Sequence, residues 1–163
     1  MERISLLITG GTIDKVYDEG TGTLIFTKTN IPKILKTAKI STKVDFKQLM
    51  LVDSLNMTKD QRNSIISSCS LSKNSKIVIT HGTDTMVETA KEIASKNLNK
   101  TIIITGAMIP YALKNSDSTF NLANALAYVL TLKAGVYIVM NGRYFHWDNV
   151  QKNKTLGIFE TVR

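Results

Sequence analysis

The chain has 163 residues, with 21 Lys plus Arg against 13 Asp plus Glu and a formal net charge of +8. That length fits a single domain with its own core, and 43% hydrophobic with 21% charged residues excludes a disordered chain. One cysteine, Cys69, excludes a disulfide scaffold and a multi-cysteine zinc site, and no apolar run approaches the roughly 18 residues of a membrane span.

In chain order, the first element is the apolar run Ile4–Thr9, which reads as a buried strand. It follows Met1-Glu2-Arg3 directly, without the long apolar core and small-residue cleavage site of a signal peptide, so a cytoplasmic protein is expected. Gly10-Gly11-Thr12 follows, then Lys15–Thr29, whose glycines predict a mobile segment that orders over a ligand. Ile31, Ile34, Leu35 and Ala38 have helical spacing, with Asn30 as N-cap and Pro32 in the first turn. Lys43–Leu51 is a weaker strand, and Thr58–Leu71 a helix opened by Thr58-Lys59-Asp60-Gln61, a capping-box pattern. Further strands are expected at Lys76–Thr80, Thr101–Thr105 and Gly135–Met140. Between them lie helical stripes of Met86, Ala90, Ile93 and Ala94, and of Leu122, Ala123, Leu126, Val129 and Leu130. Continuous Ile/Val/Leu runs alternating with helices predict an α/β fold, a doubly wound three-layer sandwich with a mostly parallel sheet. In such sheets polar chemistry gathers beyond the carboxyl ends of the strands.

The positive charge is spread along the chain. Residues 1–82 hold 12 basic and 7 acidic residues, and residues 83–163 hold 9 and 6. Arg, the residue best suited to phosphate and base contacts, occurs only at positions 3, 62, 143 and 163. The densest run, Lys28 to Lys47, has few aromatic residues for base stacking. This describes a solvated surface, and a nucleic-acid partner is not expected.

Three loops carry the polar residues. Gly10-Gly11-Thr12 permits a tight turn, close backbone approach to a ligand and free amides for an anion or oxyanion. It has neither the Lys-Ser/Thr of a phosphate-binding P-loop nor the G-x-G-x-x-G pattern. Thr80-His81-Gly82-Thr83-Asp84-Thr85 follows a strand and opens a helix. Asp84 or Thr83 serves there as a helix cap or as part of a site, and His81 reads as a structural histidine. His81 and His146 lack metal-binding spacing, so neither a metal nor an organic cofactor is expected. In the third loop, Thr105 to Pro110, Ser116 or Asp117 is a cap candidate for the helix that follows.

Taken together, three segments resemble the bacterial L-asparaginase family, the threonine-dependent amidohydrolases. They are Thr9-Gly10-Gly11-Thr12-Ile13, His81 to Ala90, and Thr105 to Pro110 with Asn121-Leu122-Ala123-Asn124-Ala125. The likeness runs in order over nearly the whole chain. It is to the N-terminal, flavodoxin/Rossmann-like domain of those enzymes, and to short members whose first loop reads Gly-Gly-Thr-Ile-Asp-Lys followed by a tyrosine. It implies one domain over residues 1–163 without the family's C-terminal domain. It also implies hydrolysis of L-asparagine to L-aspartate and ammonia. By resemblance, Thr12 is the nucleophile and Tyr17 the tyrosine that assists it. Thr83, Asp84 and Lys152 form a second threonine-centred cluster. Asp84 grips the substrate's α-amino group and Ser54 its α-carboxylate. Backbone amides around Gly11 and Gly82–Thr83 are oxyanion-hole candidates. Lys152 as a base and Asp84 as its neighbour pull in opposite senses, since a carboxylate holds the proton on an amine.

The chain departs from the family pattern at Asp14, Leu55 and Asp117-Ser118-Thr119. With the C-terminal domain missing, a second copy is expected to complete the pocket, hence a homodimer or higher assembly. Two other functions compete: a non-catalytic module that binds Asn or Asp, and a component of a tRNA-linked amidotransferase.

Overall fold

A computed structural model describes residues 2–163. In chain order the elements are β1 (Ile4–Gly10), β2 (Lys15–Asp18), β3 (Thr23–Phe26), α1 (Ile31–Thr37), β4 (Val44–Val52), α2 (Lys59–Leu71) and β5 (Lys76–Thr80). There follow α3 (Met86–Ala94), β6 (Thr101–Thr105), α4 (Ser118–Thr131), β7 (Gly135–Met140), β8 (Arg143–His146), β9 (Gln151–Asn153) and β10 (Ile158–Glu160). Six strands form the central sheet in the order β4-β1-β5-β6-β7-β8. All neighbours are parallel except β7 and β8. The expected doubly wound, three-layer α/β sandwich is observed.

The sequence pattern explains the layers. Alternate residues of each parallel strand face opposite sides, so a strand buried on both faces must be apolar throughout. Leu7, Ile77, Ile79, Ile102 and Ile104 pack with Ile65 and Cys69 of α2 and with Met86, Ala90 and Ile93 of α3. Leu6, Ile8, Val78 and Ile103 pack on the other face with Ile31 and Ile34 of α1 and Leu122, Leu126 and Val129 of α4. The strand over Lys43–Leu51 is weak in sequence because β4 is an edge strand, paired only with β1 and exposed from Asp45 to Gln48.

Strand order reverses at β1. The chain leaves β1 for β4 on one side, then crosses to β5 on the other. Register places Ile8 beside Thr80, and Thr80 beside Thr105. The loops after β1, β5 and β6 therefore leave the sheet level with one another, at the switch point where doubly wound sheets bind ligands.

Local structure departs from expectation in three places. Residues expected as a mobile segment contain an antiparallel hairpin, β2–β3, in which Tyr17 pairs with Leu24. Its turn is closed by Gly22 N–H donating to Asp18 O (2.8 Å) and Thr21 N–H to Asp18 Oδ2 (3.0 Å). Strands β8, β9 and β10 were not foreseen, being short and mostly polar. Asn30 sits at the N-cap of α1 but its side chain does not cap. Instead Asp14 accepts Asn30 N–H (2.6 Å) and Thr29 Oγ1 accepts Ile31 N–H (3.2 Å). The Thr58 capping box on α2 forms as expected.

Candidate functional site

Two glycines allow three segments to meet. Gly11 has φ 80° and lies against the backbone of Gly82; a Cβ on Gly11 would sit 2.6 Å from Gly82 Cα. A Cβ on Gly82 would sit 2.5 Å from Ser54 Oγ. Neither position has room for a side chain, and Gly11 also needs the left-handed backbone that glycine adopts freely. Gly11, Gly82 and Ser54 are thereby stacked in contact, and Thr12 and Thr83, the residues after the two glycines, leave from adjacent points on one rim.

Ser54 is buried at the start of a short 3-10 turn that Asp53 caps through Leu55 N–H (3.0 Å). Its Oγ accepts Thr85 N–H (3.3 Å), which leaves the serine O–H to donate. A carboxylate is an acceptor only, so a free donor is what it requires.

The rim's charged group is assembled across 69 residues of sequence. Lys152 Nζ lies 2.7 Å from Thr83 Oγ1 and 2.7 Å from Asp84 Oδ1. Asp84 therefore keeps its second carboxylate oxygen for another cation. Neither Thr83 nor Asp84 caps α3; the helix begins after Thr85, and both side chains turn to Lys152 instead.

A relay of asparagines fixes where Lys152 stands. On the β9–β10 hairpin its register partner is Phe159. Phe159 N–H donates to Asn141 Oδ1 (3.0 Å), and Asn141 N–H to Asn121 Oδ1 (3.3 Å). Buried Asn121 in turn donates from Nδ2 to Gly106 O (3.0 Å), after β6. The lysine is thus referenced to the central sheet, although its own hairpin lies outside it.

Thr12 is half-buried at the head of the 3-10 turn Thr12–Asp14. The hairpin beside it is anchored at both feet. Asp14 is buried and accepts from Thr29 Oγ1 (3.0 Å) and Asn30 N–H. Burial pushes its carboxyl upward, and these two hydrogen bonds oppose that. Lys15 pairs with Asp53 and holds that carboxyl below the usual range. Tyr17 stands on this hairpin at 57% exposure. Its hydroxyl lies beside Gly22 of the turn, and Tyr17 takes no part in the Thr83–Asp84–Lys152 cluster.

His81 is structural, as expected: it is buried, with Nδ1 on Gly82 O (2.8 Å) and Nε2 on Thr89 Oγ1 (2.8 Å). Burial pushes it down to about 4, so it is neutral near pH 7. Asp117 occupies the N-cap of α4 without capping it, and accepts Met108 and Ile109 N–H groups. Burial pushes the Cys69 thiol up to about 12, so it supplies no thiolate. Among the described residues no group of three or more His, Cys, Asp or Glu could hold a metal ion, and no helix is long and apolar enough to cross a membrane.

Sequence reasoning missed Arg62, Thr85, Thr89 and the Asn141 relay. Arg62 left one signal: Arg62, Ile65, Ile66 and Cys69 have i, i+3, i+4, i+7 spacing, which puts an arginine on an apolar stripe. Thr85, Thr89 and Asn121 lie within the motifs quoted above, but their roles left no signal, because each depends on a contact made only in the fold.

The family model "Asparaginase, N-terminal" matches residues 3–161. The chain is 29% identical over 170 residues to L-asparaginase 2 of Escherichia coli, covering 97% of this chain and 48% of that one. It is 31% identical over 154 residues to a glutamyl-tRNA(Gln) amidotransferase subunit from Pyrococcus furiosus, covering 85% and 33%. The solved structure of a probable cytoplasmic L-asparaginase from Campylobacter jejuni superposes with a TM-score of 0.87 at 28% identity, covering 99% and 53%. The chain spans about half the length of the Escherichia and Campylobacter proteins.

Proposed function

We propose that this chain, which belongs to the asparaginase family, is an amidohydrolase that converts L-asparagine to L-aspartate and ammonia by means of a threonine nucleophile. The observation that carries the reading is the contact of Lys152 with Thr83 and Asp84 on the rim where Gly11 packs against Gly82. That rim offers a site for each part of the substrate. Asp84, with one oxygen on Lys152, faces the α-ammonium. Ser54, with its oxygen already accepting, donates to the α-carboxylate. Thr12 Oγ attacks the side-chain amide carbon and gives up its proton, which balances the one later taken by the leaving nitrogen. The negative charge on the former carbonyl oxygen is met by backbone N–H groups of the Gly82–Thr83 segment, since the Gly11 N–H, also a candidate in sequence, is given to Val52 O (3.0 Å). The C–N bond breaks, the leaving nitrogen takes a proton, and ammonia departs. Water then hydrolyses the Thr12 ester to aspartate. Lys152 serves as the base at Thr83 only after it has given up a proton of its own.

Ammonia release by wild type, Thr12→Ala and Thr83→Ala tests this. Each substitution is expected to lower kcat by at least about a hundredfold, the scale of losing a nucleophile or its proton-transfer partner. Unchanged rates in both would overturn the mechanism. Tyr17 joins the mechanism only if the hairpin brings it to Thr12, and a Tyr17→Phe variant reads that contribution. The reading includes self-association, for which the partly exposed Asp84 on the rim leaves room. It also includes a cytoplasmic location, as for the Campylobacter protein in its description. Likeness to an amidotransferase component favours a second reading, in which the same amide hydrolysis feeds a tRNA-linked transfer. Salt-dependent tRNA binding would distinguish it.

A further inference from the structure

Arg62, on α2, has a side chain only 11% exposed, and it is the one buried guanidinium among the described residues. No substrate-facing role falls to it, yet two hydrogen-bond branches leave it. In the first, Arg62 Nε donates to Thr89 Oγ1 (2.8 Å), which lies 2.8 Å from His81 Nε2, while His81 Nδ1 lies 2.8 Å from Gly82 O. One proton arrangement satisfies the whole branch. A carbonyl only accepts, so Nδ1 carries the hydrogen. His81 is neutral, so Nε2 accepts the Thr89 O–H, and the Thr89 oxygen accepts from Arg62. In the second branch, Arg62 Nη2 reaches Thr85 Oγ1 (3.4 Å). Thr85 then donates from Oγ1 to Ser54 O (3.0 Å) and from N–H to Ser54 Oγ (3.3 Å).

The branches end on the Gly82–Thr83 peptide and on Ser54, both of which belong to the candidate site. The Gly82–Thr83 peptide is planar and trans, so its C=O and N–H point in opposite directions. Binding Gly82 O to His81 on the core side sends Thr83 N–H the other way. We infer that Arg62 is a positioning residue which, from behind the site, sets both the orientation of the Thr83 amide and the placement of Ser54. This rests on the asparaginase reading above. The competing role is a staple between α2 and α3, through Thr89 and the exposed Glu88 (3.8 Å) and Glu92 (3.7 Å).

The branches separate in kinetics. Thr89→Val cuts the His81 branch alone and is expected to lower kcat about tenfold with KM nearly unchanged, the size of one lost charge-assisted hydrogen bond. Thr85→Val removes the Oγ1 link between Arg62 and Ser54 O while keeping the backbone N–H bond to Ser54 Oγ, and is expected to raise KM for L-asparagine about tenfold with kcat nearly unchanged. Arg62→Met is expected to do both, with partial rescue in Arg62→Lys. Nitrogen-15 NMR of the histidine rings gives a readout independent of turnover. Wild-type His81 should carry its hydrogen on Nδ1, where the Gly82 carbonyl keeps it in every variant, while the bare Nε2 resonance should shift when its donor is removed in Thr89→Val and when that donor loses the guanidinium in Arg62→Met. Folded variants with an unmoved Nε2 resonance and no split between kcat and KM would overturn the inference and leave Arg62 a staple. If Arg62→Met does not fold, the two threonine variants carry the test. If the wild type releases no ammonia, the activity reading falls, and the Nε2 resonance alone decides whether Arg62 acts on His81.

Discussion

At the scale of single residues, the site depends on atoms that are missing as much as on those present. Gly11 and Gly82 bring two backbones together where any Cβ would collide. A double glycine is visible in sequence, but a collision with a segment 71 residues away is not. His81 shows the same division. Its place after a buried strand suggested a structural role, whereas its charge state follows from burial that only packing creates. That burial sets a pH dependence. Unfolded His81 takes a proton near its ordinary 6.5, and folded His81 only near about 4. Between those values the unfolded chain binds the extra proton, so stability is full above about pH 6.5 and declines as pH falls toward 4, by about 3 kcal/mol over the interval. Asp14, pushed upward by burial, acts in the opposite sense on the acid side. Urea denaturation at intervals from pH 7.5 to 4.5 should show the decline, and a flat profile between 6.5 and 5 would contradict it.

At the scale of elements, the apolar helices and strands were legible because each carries its own periodicity. Ile31 and Ile34, or Leu122, Leu126 and Val129, announce a buried face whatever they pack against. Polar elements carry no such mark. The β2–β3 hairpin reads as a loop because Asp18-Glu19-Gly20-Thr21-Gly22 dominates its sequence, and its pairing rests on the Asp18 turn and on Asp14 and Asp53 at its base. The end of α2 is similar. Lys100 Nζ, from just before β6, donates to the carbonyls of Cys69 (2.6 Å), Ser70 (3.1 Å) and Ser72 (2.6 Å). These are carbonyls a helix leaves unpaired at its C-terminus, where a cation is also favoured by the helix dipole. Lys100→Met keeps the aliphatic stem and removes the donors. It is expected to cost about 1–2 kcal/mol, or roughly 3–6 °C in Tm for a chain of this size. An unchanged melting curve would show that water replaces the lysine at no loss.

At the scale of the whole molecule, the switch point explains why loops so far apart in sequence face one another. Parallel strands in register present their carboxyl ends together, so the loops after β1, β5 and β6 share one rim. Self-association belongs to this scale as well. Light scattering is expected to give about twice the 18.1 kDa chain mass or more, with specific activity falling on dilution through dissociation. A fully active monomer would remove the second copy from the proposed function. The sequence by itself determined the layered α/β architecture, because hydrophobic periodicity is local and survives without coordinates. It also marked the candidate side chains through their motifs. The resemblance had already grouped Lys152 with Thr83 and Asp84, which lie in contact; only the tertiary structure decided that Gly11 meets Gly82 and that Arg62 stands behind both Ser54 and His81. Tyr17 stayed outside that cluster. The reason is physical. A hydrogen bond acts over about 3 Å, and which polar groups come that close depends on strand order and register, to which no single stretch of chain holds the information.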